Sequence, residues 1–347
     1  MKIIIATSAV PFVEGGSTYI VKWLAQKMRE AGHEVELFEF PFQENYVEML
    51  DQMLALRLLD LTEHGDRLIT VRSPSHLLKH PAKVVWFTSH YREAYDLWGT
   101  QYQGIPDSPG GLAYRAAIMA ADDCGLAEAS RLFCNSCVVR DRLRSFNHVD
   151  AEVLYPPLLA PDQFYNEGCG DYLLYCSRLT HQKRQWLAIE SLRHTASAVK
   201  LVIAGCPDPG ADWYLEQLYR LVEKYRLEDR VSIIPRWISE QEKIALFARC
   251  LAGMYFPIDE DSYGYPSLEA HAARKSVLTT TDAGGTNELI VSGTNGFVTP
   301  PDPELIAGAM DQLYNNRTMA QQMGEAGWRR VTELGIGWDR VLAKLLS

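Results

Sequence analysis

The chain alternates between short runs of apolar residues and longer segments whose apolar positions recur at helical spacing. The first run, residues 2–7, is rich in isoleucine and leads into a loop of small residues. Ile20, Leu24 and Met28 then repeat along a helix that ends at Gly32, and a second strand-like run follows at residues 34–40. A strand, a loop, a helix and another strand in this order predict a Rossmann-type opening.

The same alternation continues to about residue 155 and then stops. The predicted elements are a leucine-rich helix over residues 45–64 and strands over residues 83–88, 131–135 and 151–155. Pro156 and Pro157 follow the last strand, and irregular sequence continues to Gly170. Because proline interrupts regular structure, this stretch is predicted to link two domains.

A second alternating region follows the linker. The predicted strands cover residues 171–176, 199–204, 231–234, 251–256 and 276–280, with helices over 212–225, from 239, and over most of 303–347, and a tight turn at 295–297. This pattern predicts an α/β protein with two Rossmann-like domains, residues 1–160 and 161–334. By analogy with two-domain folds of this kind, the last helix, within residues 335–347, is expected to cross back to the first domain.

Composition narrows the class of partner. With 347 residues, 47% hydrophobic and 22% charged, the chain is long enough for two well-buried domains. The net charge is −10, and both halves are mildly acidic, with 15 basic against 20 acidic residues up to position 160 and 19 against 24 afterwards. A nucleic-acid partner is therefore not expected, and Arg140, Arg142 and Arg144 are interpreted as a solvated helix face.

Cysteine usage and hydropathy give an expectation for the compartment. The seven cysteines are an odd number, and Met1-Lys2 leads directly into a strand-like run without a signal peptide. Cys134 and Cys137 form a lone Cys-x-x-Cys pair, which is more typical of two buried thiols than of a zinc site. No run reaches the roughly 20 apolar residues of a membrane helix. We expect a cytoplasmic protein with reduced thiols.

Residues 259–272 carry the most informative candidate chemistry. An apolar run ends in Pro257 and acids, and a turn through Gly264 and Pro266 leads into a helix that carries Glu269. Asp261 and Glu269 are eight positions apart, so two carboxylates can accept hydrogen bonds from hydroxyls at two places on one ligand. The adjoining helix N-terminus suits a phosphate or a polar sugar. An ordinary capped helix with a solvated Asp261 fits the local pattern as well.

Two more loops place polar groups after predicted strands. Arg178 and Lys183 flank a strand-to-helix junction and form a phosphate clamp if both point to one side; with Arg184 they also fit a solvated basic cluster. His90 follows the strand at residues 83–88, with Arg92 and Asp96 as candidate acceptor contacts. The carboxyl ends of parallel strands are where an open α/β sheet places its site.

Taken together, these motifs resemble those of family 4 retaining glycosyltransferases, the glycogen-synthase-like group with two Rossmann-type domains (GT-B). That family carries Glu-Gly-Phe-Gly-Leu-Pro, two apolar residues and Glu-Ala. Six residues here fall in register, namely Tyr263, Gly264, Pro266, Leu268, Glu269 and Ala270. The first acid is Asp261 instead of Glu, while the Arg-x4-Lys pair and a Gly-Gly-x-x-Glu pattern recur at Arg178/Lys183 and Gly284/Gly285/Glu288.

The resemblance implies two domains that face each other across a cleft, with acceptor binding in the first and donor binding in the second. It implies catalytic roles for His90, Arg178, Lys183 and Asp261. It implies donor contacts from Gly15, Gly16, Trp237, Tyr263, Gly264, Tyr265, Glu269 and Glu288. In this scheme Arg178 and Lys183 bind the diphosphate, Glu269 the ribose and Asp261 the sugar, without a metal ion or other cofactor.

The expected activity is retaining transfer of a hexose from a nucleoside diphosphate sugar, in first place a UDP-sugar, to a hydroxyl on a glycan or lipid-linked acceptor. Polysaccharide or glycolipid assembly is the expected setting, with weak peripheral contact to the inner membrane face. The alternatives are a nucleotide-sugar epimerase or a phosphorylase of the same fold, and a catalytically silent nucleotide-sugar-binding subunit in which Asp261 replaces the active glutamate.

Overall fold

The buried apolar runs form two parallel sheets, each in its own compact unit. The computed structural model describes residues 1–10, 16–43, 45–208 and 210–347, of which Ser17 is described by its backbone alone. Unit 1 comprises Met1–Pro157 with Ile336–Ser347, and unit 2 comprises Leu158–Gly335. The boundaries expected from the sequence were 160 and 334, close to these positions.

The sheet of unit 1 is parallel throughout, with six strands among the described residues in the order β2-β1-β3-β4-β5-β6. The strands are β1 Lys2–Ala9, β2 Glu34–Pro41, β3 Arg67–Thr70, β4 Lys83–Phe87, β5 Arg131–Cys134 and β6 Glu152–Val153. The helices are α1 Gly16–Glu30, α2 Tyr46–Leu58, α3 Pro109–Ala127 and α4 Cys137–Arg142, and a π-helical turn spans Leu143–Asn147. All five residues of β4 are buried, as expected for a central strand covered on both faces.

Unit 2 repeats this plan in the order β12-β11-β10-β7-β8-β9, again parallel and six-stranded within the described residues. The strands are β7 Tyr172–Cys176, β8 Lys200–Ala204, β9 Val231–Ile234, β10 Ala252–Met254, β11 Ser276–Thr280 and β12 Gly296–Thr299. The helices are α5 Gln185–Leu192, α6 Asp212–Tyr225, α7 Glu240–Arg249, α8 Tyr265–Ala272, α9 Thr286–Leu289, α10 Pro303–Asn315 and α11 Arg317–Glu333. Counted from β7, this is the strand order of a dinucleotide-binding Rossmann sheet.

The last helix, α12 (Trp338–Leu346), belongs to unit 1, which confirms the predicted return of the chain. Its hydrophobic side is buried through Val341 and Leu345. Lys344 pairs with Glu152 at 2.8 Å, and Arg67 donates to the carbonyl of Leu345 at 2.7 Å. The end of the chain is thereby tied to strands β3 and β6.

Two predicted elements differ from the structure. Residues 295–297 do not form a turn: the turn ends at Asn295, and Gly296 begins β12, which pairs with β11 from Val277 to Thr280. The short run Gly-Phe-Val-Thr does not by itself predict a strand, because it becomes one by pairing with β11. The helix predicted over 45–64 ends at Leu58, since Leu59 has extended backbone angles and caps the helix.

Candidate functional site

The strand order of unit 2 reverses between β7 and β10, which lie side by side. The connection after β7 leads outward to β8, and the connection after β10 leads to β11 on the other side. Open α/β sheets bind ligands at such a switch point, beyond the carboxyl ends of the two strands. Arg178 and Lys183 lie after β7, and residues 259–264 lie after β10, so the topology brings both predicted motifs to this position.

Lys183 is the centre of the contacts between these two loops. Its ammonium group donates to the hydroxyl of Tyr255 at 2.8 Å and to the carboxylate of Glu260. The hydroxyl of Tyr255 in turn donates to the same carboxylate at 2.9 Å. Burial, and then the charge of Glu260, raise the pKa of Tyr255 well above its ordinary value, so the phenol keeps its proton. Lys183 is thus a cation at the switch point, held by a side chain of the opposite loop.

Arg178 lies on the same loop but has a different partner. Its guanidinium group forms an ion pair with Asp208 at 2.6 Å, and 45% of its side chain is exposed. The predicted clamp therefore consists of two cations on one loop, each paired with its own acid. Neither pair is deeply buried, so each can be exchanged for another anion at modest cost.

Arg184 corrects the alternative interpretation of a solvated basic cluster. It is 5% exposed and has a left-handed backbone conformation with φ 54°. Its guanidinium group forms a bidentate ion pair with Asp282, with both hydrogen bonds at 2.7 Å. It also donates to the carbonyl groups of Phe256 and Pro257 at 2.7 and 2.9 Å. Arg184 therefore fastens the loop after β10 to the loop after β11 and is a structural residue.

The motif around Gly264 is shaped by close contact with Tyr255. Gly264 caps α8 with φ 67°, and a Cβ at this position would lie 2.2 Å from the Tyr255 ring. Tyr263 is buried, Tyr265 begins α8, and Asp261 is half-buried in the loop before them. Burial raises the pKa of Tyr265 well above its ordinary value. The glycine thus permits the approach of α8 to the ring that holds Lys183.

Glu269 is buried on α8 and has a cationic partner that the sequence did not suggest. Lys243, on α7, donates to Glu269 at 2.5 Å and to Glu240 at 2.9 Å. Burial raises the pKa of Glu269, with Lys243 acting against it. Burial also works to lower the pKa of Lys243, but the two carboxylates outweigh it and hold that pKa above its ordinary value. Because Lys243 remains charged, it favours the ionised form of Glu269.

The Gly284-Gly285 turn packs against the loop after β10. The amide N–H of Gly285 donates to the carbonyl of Glu260 at 2.8 Å. The amide N–H of Asp259 donates to the carbonyl of Asp282 at 2.9 Å. A Cβ on Gly284 would lie 2.5 Å from the Glu260 backbone, so glycine is required by this approach. Glu288 follows on α9, where its carbonyl accepts from Arg330 at 3.3 Å.

Trp237 lies in the loop between β9 and α7, and 56% of it is exposed. The preceding Arg236 is held by Glu242 at 2.6 Å, and Ser239 caps α7. An exposed indole at the carboxyl end of a strand offers a stacking surface.

In unit 1, His90 follows β4 as predicted and is buried, with 5% exposure. Its ring lies between aromatic side chains, 4.2 Å from Tyr95 and 4.8 Å from Phe87 between centroids. Its Nε2 is 2.7 Å from the side-chain oxygen of Asn147, and burial lowers its pKa. Of the predicted Gly15-Gly16 pair, Gly16 begins α1 and Gly15 lies outside the described residues.

A cluster of ions lies close to His90 in the chain. Asp96 accepts from Arg92 at 2.7 Å and from Arg142 at 3.3 Å. Arg142 is 9% exposed, so the interpretation of the α4 arginines as a solvated face is wrong for this residue. It had looked solvated because its partner lies 46 positions earlier in the chain, beyond the reach of a local pattern.

Among residues 1–10, 16–43, 45–208 and 210–347, no three His, Cys, Asp or Glu side chains come together to hold a metal ion. All seven cysteines are thiols, with Cys134 buried and Cys137 half-buried. In the same described ranges, every helix is too short or too polar to cross a bilayer.

Unit 2 is similar in sequence to known glycosyl transferases. Residues 166–330, almost all of unit 2, match the family described as glycosyl transferases group 1. The α-1,3/1,6-mannosyltransferase ALG2 of Homo sapiens is 28% identical over 246 residues, 63% of this chain and 58% of that protein. The lipopolysaccharide core biosynthesis mannosyltransferase LpcC of Rhizobium leguminosarum bv. viciae is 28% identical over 191 residues, 53% of this chain and 52% of that one. The chain thus aligns with little more than half the length of these relatives.

Solved structures extend the likeness to the whole chain. Sucrose-phosphate synthase from Thermosynechococcus elongatus has a TM-score of 0.77 at 16% identity and covers 99% of this chain and 97% of its own. Anabaena HepE, in complex with UDP and glucose, has a TM-score of 0.74 at 16% identity, with 99% of both chains covered. At this identity the likeness shows the fold, which is the predicted GT-B fold. Residues 166–330 of unit 2 thus match the group 1 glycosyl transferases, the family that the motifs of the chain resemble.

Proposed function

We propose that the chain is a retaining glycosyltransferase that moves a hexose from a nucleoside diphosphate sugar to a hydroxyl acceptor. One observation carries the proposal: at the switch point of unit 2, Lys183 of the loop after β7 contacts Tyr255 and Glu260, and Glu260 directly precedes the Asp261–Glu269 motif after β10. A cation, a set of carboxylates and a glycine-capped helix at one strand edge suit a ligand that combines a diphosphate with a sugar.

Lys183 and Arg178 would bind the diphosphate. In transfer the nucleoside diphosphate leaves, so the barrier falls when fixed cations meet the negative charge that develops on it. Without donor, Glu260 offsets the charge of Lys183 and Asp208 offsets that of Arg178. A diphosphate would take the place of these acids, and two cations on one loop would do the work that a metal ion does in other transferases.

The carboxylates would bind hydroxyl groups. Asp261 would contact the donor sugar, and Glu269 would accept hydrogen bonds from the ribose, with Lys243 favouring its ionised form. Trp237 would stack on the base. His90 would face the acceptor, and the departing phosphate would take the acceptor proton in a front-face substitution that retains the anomeric configuration.

The relatives give the proposal its substrate class. ALG2 and LpcC are mannosyltransferases by name, and HepE has been solved with UDP-glucose as well as with UDP and glucose. A hexose donor, with UDP as the first nucleotide to try, agrees with these names. The proposed acceptor is a glycan or a lipid-linked glycan in polysaccharide or glycolipid assembly.

The test is a calorimetric titration with UDP, GDP and ADP, followed by the corresponding sugars. The Lys183→Ala variant is compared with Lys200→Ala, a matched lysine that pairs with Asp171 at the start of β8. We expect one nucleotide to bind selectively, with binding lost in Lys183→Ala and kept in Lys200→Ala. Binding to none of the nucleotides would refute the proposal.

Turnover is then tested with the bound donor and a panel of glycan acceptors, and NMR reads the anomeric configuration of the product. Retention is expected. Binding without any turnover, together with activity gained in Asp261→Glu, would instead identify a silent nucleotide-sugar-binding subunit.

A further inference from the structure

His90 is fixed on one edge by an amide. The ring of His90 is buried, and its Nε2 lies 2.7 Å from Oδ1 of Asn147, at the end of the π-helical turn Leu143–Asn147. Asn147 is itself 8% exposed. Which atom carries the proton in this hydrogen bond depends on which way the amide points.

A second hydrogen bond decides the direction of the amide. The Asn147 Nδ2 donates to Oδ1 of Asp123, on α3, at 2.7 Å. An ionised carboxylate can only accept, so the amide nitrogen must face Asp123 and the amide oxygen must face His90. Because the amide oxygen also only accepts, His90 must donate from Nε2. The neutral imidazole then carries no proton on Nδ1.

The other ring nitrogen is left without a partner. Within the part of the chain that the structure describes, Nδ1 of His90 is buried and makes no hydrogen bond. By contrast, the buried His271 of unit 2 has both nitrogens engaged, Nδ1 with the carbonyl of Lys275 at 3.0 Å and Nε2 with Asn295 at 3.4 Å. Burial lowers the pKa of His90 in spite of the hydrogen bond to Asn147, so the neutral ring with a bare Nδ1 is the stable form.

The neighbouring acid holds the face of the same ring. Asp122 accepts from the hydroxyl of Tyr95 at 2.7 Å, and the Tyr95 ring lies 4.2 Å from that of His90. Asp122 also accepts from Nε2 of His76 at 2.9 Å. The pair Asp122-Asp123 of α3 thus fixes the face of His90 through Tyr95 and its edge through Asn147.

We propose that Asn147 and Asp123 are positioning residues that hold His90 as its Nε2-protonated tautomer, so that Nδ1 accepts a hydrogen bond from a non-reacting hydroxyl of the acceptor. The role of Nδ1 rests on the proposed transferase function, whereas the tautomer does not. A hydroxyl is the matching ligand because it can donate to a bare nitrogen while its oxygen remains available to other donors.

The first experiment reads the tautomer directly, with no need for activity. The full chain is labelled with ¹⁵N-histidine, and long-range ¹H–¹⁵N spectra report which ring nitrogen carries the proton; His90→Gln assigns the signal. We expect an Nε2-protonated His90 in the wild type and a mixture of tautomers in Asp123→Asn, where the amide of Asn147 is free to turn. His76 is the internal control, since its partner Asp122 is unchanged. Asp150→Asn, an exposed aspartate paired with Arg144, is the matched variant.

An Nδ1-protonated His90 in the wild type would overturn the proposal, and so would a tautomer unaffected by Asp123→Asn and by Asn147→Leu. The second variant removes the acceptor for Nε2, while the first lies at an exposed position and keeps the shape of the side chain, so a folded sample is secured.

The second experiment uses the donor and acceptor that support turnover. We expect Asp123→Asn to lower kcat up to about a hundredfold while the dissociation constant of the donor nucleotide stays unchanged, because the site that binds the nucleotide lies in unit 2. An unchanged kcat together with the expected tautomer shift would overturn the role of Nδ1 while leaving the transferase function in place. Absence of turnover in the wild type would instead count against the function proposed above, and the tautomer result would still stand.

Discussion

The two units hold their candidate residues in opposite ways. Lys183 of unit 2 is a cation whose side chain is 17% exposed, held by the carboxylate of Glu260 and the hydroxyl of Tyr255. His90 of unit 1 is a buried, neutral ring clamped between aromatic side chains and oriented by Asn147. An ion pair near water contributes little net free energy, so it can exchange one anion for another. A clamped neutral ring instead keeps one orientation.

This difference agrees with what each half of the proposed transfer reaction would require. A leaving diphosphate carries much charge, and a cation must meet it and later release it. A hydroxyl carries none, and the geometry of one hydrogen bond matters more than its charge. Exchange of the anion bound to Lys183 in unit 2 and the fixed orientation of His90 in unit 1 can each be tested by substitution.

The largest effect is expected for Lys183→Ala. If Lys183 meets the charge of the leaving group, its loss lowers kcat by about a hundredfold to a thousandfold, as for the loss of one fixed donor in other active sites. The free energy of unfolding changes by less than about 1 kcal/mol, because the lost ion pair is partly exposed. Steady-state kinetics and urea unfolding check the two expectations. Near-normal turnover would remove Lys183 from the mechanism, and a comparable loss in Lys200→Ala would show a non-specific charge effect.

The stability of the chain is expected to depend on pH because its buried histidines are neutral. Burial lowers the pKa of His271 to about 4 and lowers that of His90 as well, whereas an unfolded histidine titrates at about 6.5. Below pH 6.5 these histidines bind protons in the unfolded chain but not in the folded chain. The free energy of unfolding therefore decreases as the pH falls toward the pKa of the histidine in the folded chain. For His271 the loss amounts to about 3 kcal/mol by pH 4.

The variant His90→Gln isolates the contribution of His90 to this pH-dependent loss of stability. We expect the variant to lose less stability between pH 7 and pH 5 than the wild type, as measured by urea unfolding followed by circular dichroism. Burial raises the pKa of Glu269, which acts in the opposite direction, but it does so equally in both proteins. Equal losses in the two proteins would mean that His90 titrates as an ordinary histidine and is not held neutral.

Most of the strands, several helices and the main loops of the site could be predicted from local sequence, but β3, α3 and β12 were not. α6 and β11 lie where periodicity placed them, at Asp212–Tyr225 and Ser276–Thr280. Their patterns are long, regular and bounded by turn residues, which is when periodicity is most informative. The family motifs added the loops of Lys183 and Gly264, which the structure brings together at the switch point.

The partners of the site residues could not be predicted in this way. Lys243 reaches Glu269 across 26 positions, Arg184 reaches Asp282 across 98, and His90 meets Asn147 across 57. Each of these contacts depends on how one helix, strand or loop packs against another. The local pattern of a single sequence does not predict such packing. Arg184 shows the consequence: beside Lys183 it looked like one more solvated cation, and it is buried.

Gly264 is expected to support Lys183 through the ring of Tyr255. In Gly264→Ala the left-handed backbone, φ 67°, destabilises the folded chain by roughly 1–2 kcal/mol, and the new methyl group displaces the Tyr255 ring. We expect turnover to fall with it, because Tyr255 orients Lys183. Gly293→Ala is the matched control, since Gly293 has φ 78° and nothing within 4 Å of the added Cβ. Equal activity in the two variants would show that the contact with Tyr255 does not matter for the site.

The smallest effect, and the sharpest test of exchange, is expected for Glu260→Gln. Glutamine can still accept from Tyr255 and Lys183 but no longer offsets the lysine charge, so a diphosphate meets a stronger cation. Exposed and half-exposed ion pairs contribute about 0.2–1 kcal/mol, which corresponds to UDP binding about 1.5-fold to fivefold more tightly. Glu240→Gln is the control, because Glu240 pairs with Lys243 instead. Calorimetry measures UDP binding to both variants. Tighter binding only in Glu260→Gln means that Glu260 competes with the donor for Lys183. Weaker binding means instead that Glu260 itself contacts the nucleotide and does not give way to it at Lys183.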